Sequence, residues 1–173
     1  MTGFFNRIDD FIFPVQTGEE EDEFPVVAFT AADATLAGFE AHLDIGLTGS
    51  LWLELGGDLV RGEERATDDP LPRIPPARGW VGLRFERSGF HLEGRLLAAD
   101  RQDLTYGLET PTAGYALADV HGSYSFAAGR TLHTVTLRLD NATDRLYRNH
   151  LSYIKDLTPE MGRTLKLVYA MRF

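Results

Sequence analysis

Cysteine is absent from the 173 residues, which removes disulfide scaffolds, thiolate zinc sites and cysteine nucleophiles and leaves the redox compartment open. Positive charge is scarce: 17 Lys plus Arg stand against 26 Asp plus Glu, for a net charge of -9. No nucleic-acid partner is expected of such a balance, because binding phosphate backbones relies on overall basic charge. Long apolar runs are missing too. The longest, such as Phe24 to Phe29, reach strand length and fall far short of the ~20 residues of a membrane-spanning helix. The opening MTGFFNRIDDFIF lacks a basic region, an apolar stretch and a small-residue cleavage site in succession, so no secretory signal is read there. No G-x-S-x-G elbow occurs, and Gly122-Ser123 beside His121 falls inside a strand pattern. Neither enzymatic activity nor a cofactor is expected.

What the chain does have is a period of two. From residue 34 onward apolar residues recur at every second position, interrupted only at turn-like clusters. The strand pattern covers 36–47, 51–60, 80–86, 90–99, 118–126, 133–141 and 165–173. In the chosen phase one face of these segments carries no Asp, Glu, Lys or Arg, whereas the other carries 13. An eighth segment, Gly3 to Phe13, is rich in Phe and Ile but clean in neither phase.

Connection lengths alternate. LTGS at 47–50, RSGF at 87–90 and AAGR at 127–130 are short and contain the Gly a tight hairpin favours. The others, 14–23, 61–76, 101–114 and 142–161, are long. Antiparallel neighbours joined this way place all short turns at one end and all long loops at the other, the rule in membrane barrels. Ten residues at ~3.3 Å each, tilted near 45°, cover roughly the ~25 Å apolar band of an outer membrane.

Alternation alone leaves the apolar face free to point inward, as in a soluble barrel or sandwich enclosing a small apolar ligand. Three features favour lipid outside. The apolar faces lack a single Lys or Glu, the charged faces mix both signs as a wet lumen does, and Phe90, Tyr124, Phe126 and Phe173 fall at strand ends near the short turns, where an interfacial girdle belongs. The expected fold is all-β, an antiparallel transmembrane β-barrel wall of about eight strands.

The last segment, GRTLKLVYAMRF, places Leu165, Leu167, Tyr169, Met171 and the terminal Phe173 in alternation. It resembles the signal by which outer-membrane barrels are recognised by the barrel assembly machinery. The preceding LRLDNATDRLYRNHLSYIKDLTPEMGR is similar to the end of a TonB-dependent outer-membrane receptor. There a penultimate strand runs into an Asn-x-x-Asp-x-x-Tyr turn, here Asn141, Asp144 and Tyr147, and a loop leads to Gly-Arg, here Gly162 and Arg163. The Gly38-Phe39-Glu40 strand and the PLPRIPPAR loop ending at Arg78 also look like the family. The resemblance spans nearly all of residues 1–173 and implies the carboxyl-terminal part of a larger barrel in a bacterial outer membrane. It implies uptake of a scarce nutrient such as an iron chelate, haem or a metal ion, with TonB engaged only through a plug domain that this sequence does not match. A small closed barrel acting as anchor or adhesin is the other membrane reading.

Five histidines are present. His42, His91 and His121 lie on the charged face near Glu40, Asp44 and Asp119, where imidazoles could contact cargo, although no H-x-H or H-E-x-x-H spacing supports a metal site and hydrogen-bonded wall residues are the plainer reading. His150 and Tyr153 lie in the loop 142–161, where a receptor of the family touches its cargo. Asn141, Asp144 and Tyr147 read as turn caps and an interface anchor. His133 shares the apolar parity beside a turn and is given no role. The acids Glu19 to Glu23 read as a solvated, mobile loop, and 61–76, stiffened by proline, shapes the rim.

Overall fold

The computed structural model describes all 173 residues. Eight strands follow one another: β1 (Thr2–Glu21), β2 (Phe24–Gly46), β3 (Leu51–Glu64), β4 (Arg78–Arg87), β5 (Phe90–Ala99), β6 (Tyr115–Ala128), β7 (Thr131–Asp140) and β8 (Thr164–Arg172). They form a single antiparallel sheet in sequence order, with β1 and β8 as unpaired edges, so the wall does not close on itself.

Register keeps the two faces apart. Leu43 pairs with Leu55, Leu55 with Val81, Val81 with Leu96, Gly122 with Leu137 and Leu137 with Leu167, so the apolar phase of each strand meets the apolar phase of its neighbour. Such pairs stabilise a sheet, and a one-residue slip would send every apolar side chain to the other face. That apolar face is open. Val120 is 42% exposed and Leu167 70%, and Leu53 and Phe85 are half-buried on the same face, so these four residues enclose no dry centre. Only 14 of 173 residues are buried, as expected of one layer whose apolar side has no protein partner.

The amino-terminal segment is a strand, and its mixed phase has a cause. Register shifts between Ile8 and Phe11, where Asp10 takes φ 51°. This bulge inserts an extra residue and swaps the faces. Before it Phe4 and Ile8 point to the charged side of the sheet, opposite Gly38 and Ala34; after it Phe11 and Phe13 do, opposite Ala32 and Thr30.

The expected long connection at 14–23 is corrected by the structure. β1 and β2 continue upward as a hairpin, with Glu19 to Glu21 in strand and only Asp22 and Glu23 in the turn, both at positive φ (51° and 69°). Paired positive φ values match the twist of a tight antiparallel turn, so the acid run sits on a strand end and its tip rather than in a mobile loop. The other long connections, 65–77, 100–114 and 141–163, lie at this same end, and the short turns at 47–50, 88–89 and 129–130 lie opposite.

At the long-loop end the loop 65–77 folds inward over the charged side. Leu71 and Ile74 bury against Phe13 and Ala34, joined by Phe11, Val15, Leu36, Val60 and Tyr106. The absence of a side chain at Gly62 makes room, since a Cβ there would lie 2.7 Å from Ile74 Cδ1. Arg65 ties the loop to the hairpin through Asp9 and Asp33.

Candidate functional site

The charged face carries a closed circuit of ion pairs across β3, β4 and β5. Glu54 Oε1 accepts from Arg84 Nε at 2.6 Å, and Arg84 Nη1 donates to Glu86 at 2.9 Å. Glu86 contacts His91 at 3.2 Å, and the His91 ring lies 3.9 Å from Glu93. Glu93 holds Arg95 at 3.2 Å, which returns to Glu54 at 3.6 Å. Three carboxylates and two guanidiniums, with the His91 imidazole between Glu86 and Glu93, set opposite charges side by side, so this part of the wall is polar and its charge largely compensated. Glycines on the same face leave room for large aromatics. The Trp80 ring occupies the space of a Gly56 side chain, and the Phe4 ring that of Gly38.

A second constellation ties the outer loops together. His150 in 141–163 has no side-chain exposure, and Glu109 in 100–114 and Lys155 are 8% and 4% exposed. Lys155 Nζ donates to the Thr110 carbonyl at 2.5 Å and to His150 Nδ1 at 3.3 Å, with Thr112 Oγ1 at 3.0 Å from the same nitrogen. An ammonium has donors only, so Nδ1 accepts and the ring proton is assigned to Nε2. Nε2 lies 3.2 Å from Glu109 Oε1 but makes no aligned hydrogen bond. Glu109 also accepts the Arg73 backbone N–H at 3.2 and 3.3 Å. Arg73 reaches across from 65–77, donates to the Leu151 carbonyl and stacks its guanidinium 3.5 Å over the Tyr153 ring. Three loops thus converge on one buried cluster.

Burial presses the Glu109 carboxyl upward, but the close His150 imidazole, the Arg73 amide and the positive charge of Lys155 outweigh it and hold the group below the ordinary glutamate range. Burial lowers the Lys155 ammonium from its ordinary value, opposed in part by Glu109 and Asp156. Beside the cluster a cleft of about 30 Å³ opens between Arg73, Tyr106, Glu109, Tyr153 and Lys155, with room for a water molecule and little more.

The sequence candidates separate. His150 and Tyr153 share this cluster, His150 enclosed and Tyr153 63% exposed. His42, His91 and His121 stand apart on the wall. His42 lies 3.3 Å from Asp44, His121 2.9 Å from Asp140, and His91 belongs to the ion-pair circuit. No group of three His, Cys, Asp or Glu is placed to hold a metal ion.

Asn141, Asp144, Gly162 and Arg163 form one connected turn. Asn141 Oδ1 accepts the Arg145 N–H at 2.8 Å while its amide donates to the Arg145 and Met161 carbonyls. Asp144 Oδ1 accepts the Arg163 N–H at 2.8 Å, and a Cβ on Gly162 would lie 2.8 Å from that oxygen. The Tyr147 and Tyr115 rings are 4.5 Å apart. On the apolar face, near the short turns, His133 stacks 5.0 Å from Phe126 and 6.0 Å from Tyr169, with its Nδ1 2.7 Å from the Tyr169 hydroxyl; this places it in the row of aromatics that ends toward Phe173.

Sequence reasoning passed over Glu109, Arg73 and Thr112. Each lies in a loop without period, and their gathering around His150 depends on contacts between residues 36 and more positions apart. Lys155 was visible only as a neighbour of His150.

The model of the TonB dependent receptor-like β-barrel family matches residues 1–142. Among solved structures, the chain is similar to "Copper transporter OprC", with a TM-score of 0.81 and 22% identity over 98% of this chain. That likeness is one of fold. The chain spans 28% of that protein's length. No curated protein sequence matches. With the family match over most of its residues and an open sheet of the corresponding form, the chain belongs to the TonB-dependent receptor-like β-barrel family.

Proposed function

We propose that this chain is a wall and outer-loop portion of a bacterial outer-membrane receptor that takes up a scarce nutrient, an iron chelate, haem or a metal ion, in a TonB-dependent manner. The observation that carries the reading is the two-sidedness of the sheet. An exposed face of uncharged side chains, from Leu43 to Leu167, backs onto a face of paired charges, from Glu54 to Asp140. Lipid suits the first and a wet lumen the second. The family match and the fold shared with a copper transporter support the same reading.

Within it each part has a task. The strands satisfy backbone hydrogen bonds that lipid cannot, while β1 and β8 need further strands as partners. TonB acts through a plug domain that other segments supply, and the barrel assembly machinery inserts the wall by way of the alternating strand ending at Phe173. Cargo meets the outer loops first, where Tyr153 is the exposed candidate. His42, exposed on the wall below, is a candidate for later contact. The wall does no covalent chemistry.

Uptake measurements test this. Cells that express the protein should accumulate labelled copper, haem or an iron chelate above a strain lacking its gene, and the difference should vanish when TonB is removed. Equal accumulation of all three with and without the gene, or uptake indifferent to TonB, would refute the assignment. Fractionation with the inner membrane or in the soluble extract would refute its location.

A further inference from the structure

We propose that the Lys155–His150–Glu109 chain is a proton-operated latch: a proton added to His150 Nδ1 removes the acceptor that holds Lys155 and loosens the grip of loop 141–163 on loop 100–114. The inference rests on the loop geometry and is independent of which cargo the receptor carries.

The Lys155–His150 contact depends on one lone pair. Nδ1 of His150 faces the Lys155 ammonium at 3.3 Å and the Thr112 hydroxyl at 3.0 Å, within a ring that solvent does not reach. Protonated, that nitrogen becomes a donor. Thr112 can turn to accept from it, but Lys155 cannot, and two positive groups then stand in hydrogen-bond contact. Glu109, 3.2 Å from Nε2, gains from the new charge about what Lys155 loses. What remains is an extra buried charge and a broken Lys–His hydrogen bond, and both favour opening.

The other charges around the cluster do not reverse this sign. Arg73 from 65–77 is tied to Glu109 through its backbone, and its guanidinium, over Tyr153, adds positive charge. Arg148 donates to the Lys155 carbonyl at 2.5 Å and adds more. Asp156 is held by the Thr110 hydroxyl at 2.6 Å. Release of Lys155 removes its bond to the Thr110 carbonyl as well, so a single proton loosens both hydrogen bonds of the ammonium and leaves only its 3.7 Å ion pair with Glu109. Histidine is the side chain whose charge changes between neutral and mildly acidic pH, the range over which such a latch is useful at a cell surface.

Hydrogen exchange measured on the full chain in lipid, corrected for the intrinsic pH dependence of exchange, reads the latch directly. On going from pH 7.5 to 5.5 the amides of 149–157 should lose roughly tenfold in protection while those of β4 to β7 hold theirs. His150→Gln keeps an acceptor for Lys155 and a donor toward Glu109 but does not titrate, so it should stay closed at both values. Lys155→Met should be open at both, and it tests the same claim if the glutamine variant fails to fold. An unchanged loop in the natural protein would overturn the proposal. So would a full pH response surviving in either folded variant.

Discussion

The indole of Trp80 on β4 lies over the backbone of Gly56 on β3, so close that a Cβ on Gly56 would stand 2.1 Å from the ring. The two residues are cross-strand partners on the charged face, and His42 packs 6.2 Å from the same indole. Glycine here is required by an aromatic neighbour, a close approach that compensates the entropy cost of glycine within a strand.

Gly56→Ala should therefore destabilise the wall by about 1–3 kcal/mol, because the ring must leave its position or the strands must part. Chemical unfolding in lipid vesicles, followed by tryptophan fluorescence, measures it. Trp80→Leu in the Gly56→Ala background should recover part of the loss, since it removes the clashing ring.

Asp144 joins the start of its loop to the start of β8 by accepting the Arg163 N–H. Asp144→Ala leaves that exposed amide to water and should cost about 0.5–1.5 kcal/mol. The loss should appear as faster hydrogen exchange at Arg163 and Thr164, with β3 and β4 unaffected.

Glu109 has a depressed pKa in the folded state. Its stabilisation is present above the unfolded glutamate value and is lost as pH falls through the folded one. Loop 100–114 should accordingly open in an acid step of its own, as the Glu109 carboxyl takes up its proton. Glu109→Gln should abolish that acid step, as read by hydrogen exchange of 106–114.

Leu137 pairs with Gly122 on one side and Leu167 on the other, near the middle of the apolar face, and is 48% exposed. A lysine there would face hydrocarbon, and Leu137→Lys should destabilise the inserted wall by about 2–4 kcal/mol in vesicles. Thr136→Lys, one residue away on the charged face, should cost much less, and the ratio of unfolding midpoints compares them.

The strands after residue 34 were legible because charge is confined to one face of each strand, and side-chain period and turn residues agree. Leu53, Phe85, Val120 and Leu167 all fall on the face that alternation assigns to them. The β1–β2 hairpin was obscured for two local reasons. A bulge at Asp10 exchanges the faces within Gly3 to Phe13, and the acids from Glu19 onward look like loop although exposed strand ends tolerate them. The loop cluster was hardly legible at all. His150 stood out as a residue type, but Glu109 beside it and Arg73, which holds Glu109, are brought there by tertiary folding, and nothing in their local sequence marks the meeting.

The orientation of the sheet in lipid is the claim on which the transport reading stands, and the lack of native cysteine permits a clean test of it. Single cysteines from Thr164 to Arg172, each carrying a nitroxide, can be read for contact with dissolved oxygen and with a water-soluble nickel chelate in reconstituted vesicles. Alternation at every second residue is expected: labels at Leu165, Leu167 and Tyr169 in contact with oxygen, and those at Lys166, Val168 and Ala170 in contact with the chelate. Chelate contact at Leu165, Leu167 and Tyr169 as strong as at Lys166 would contradict it.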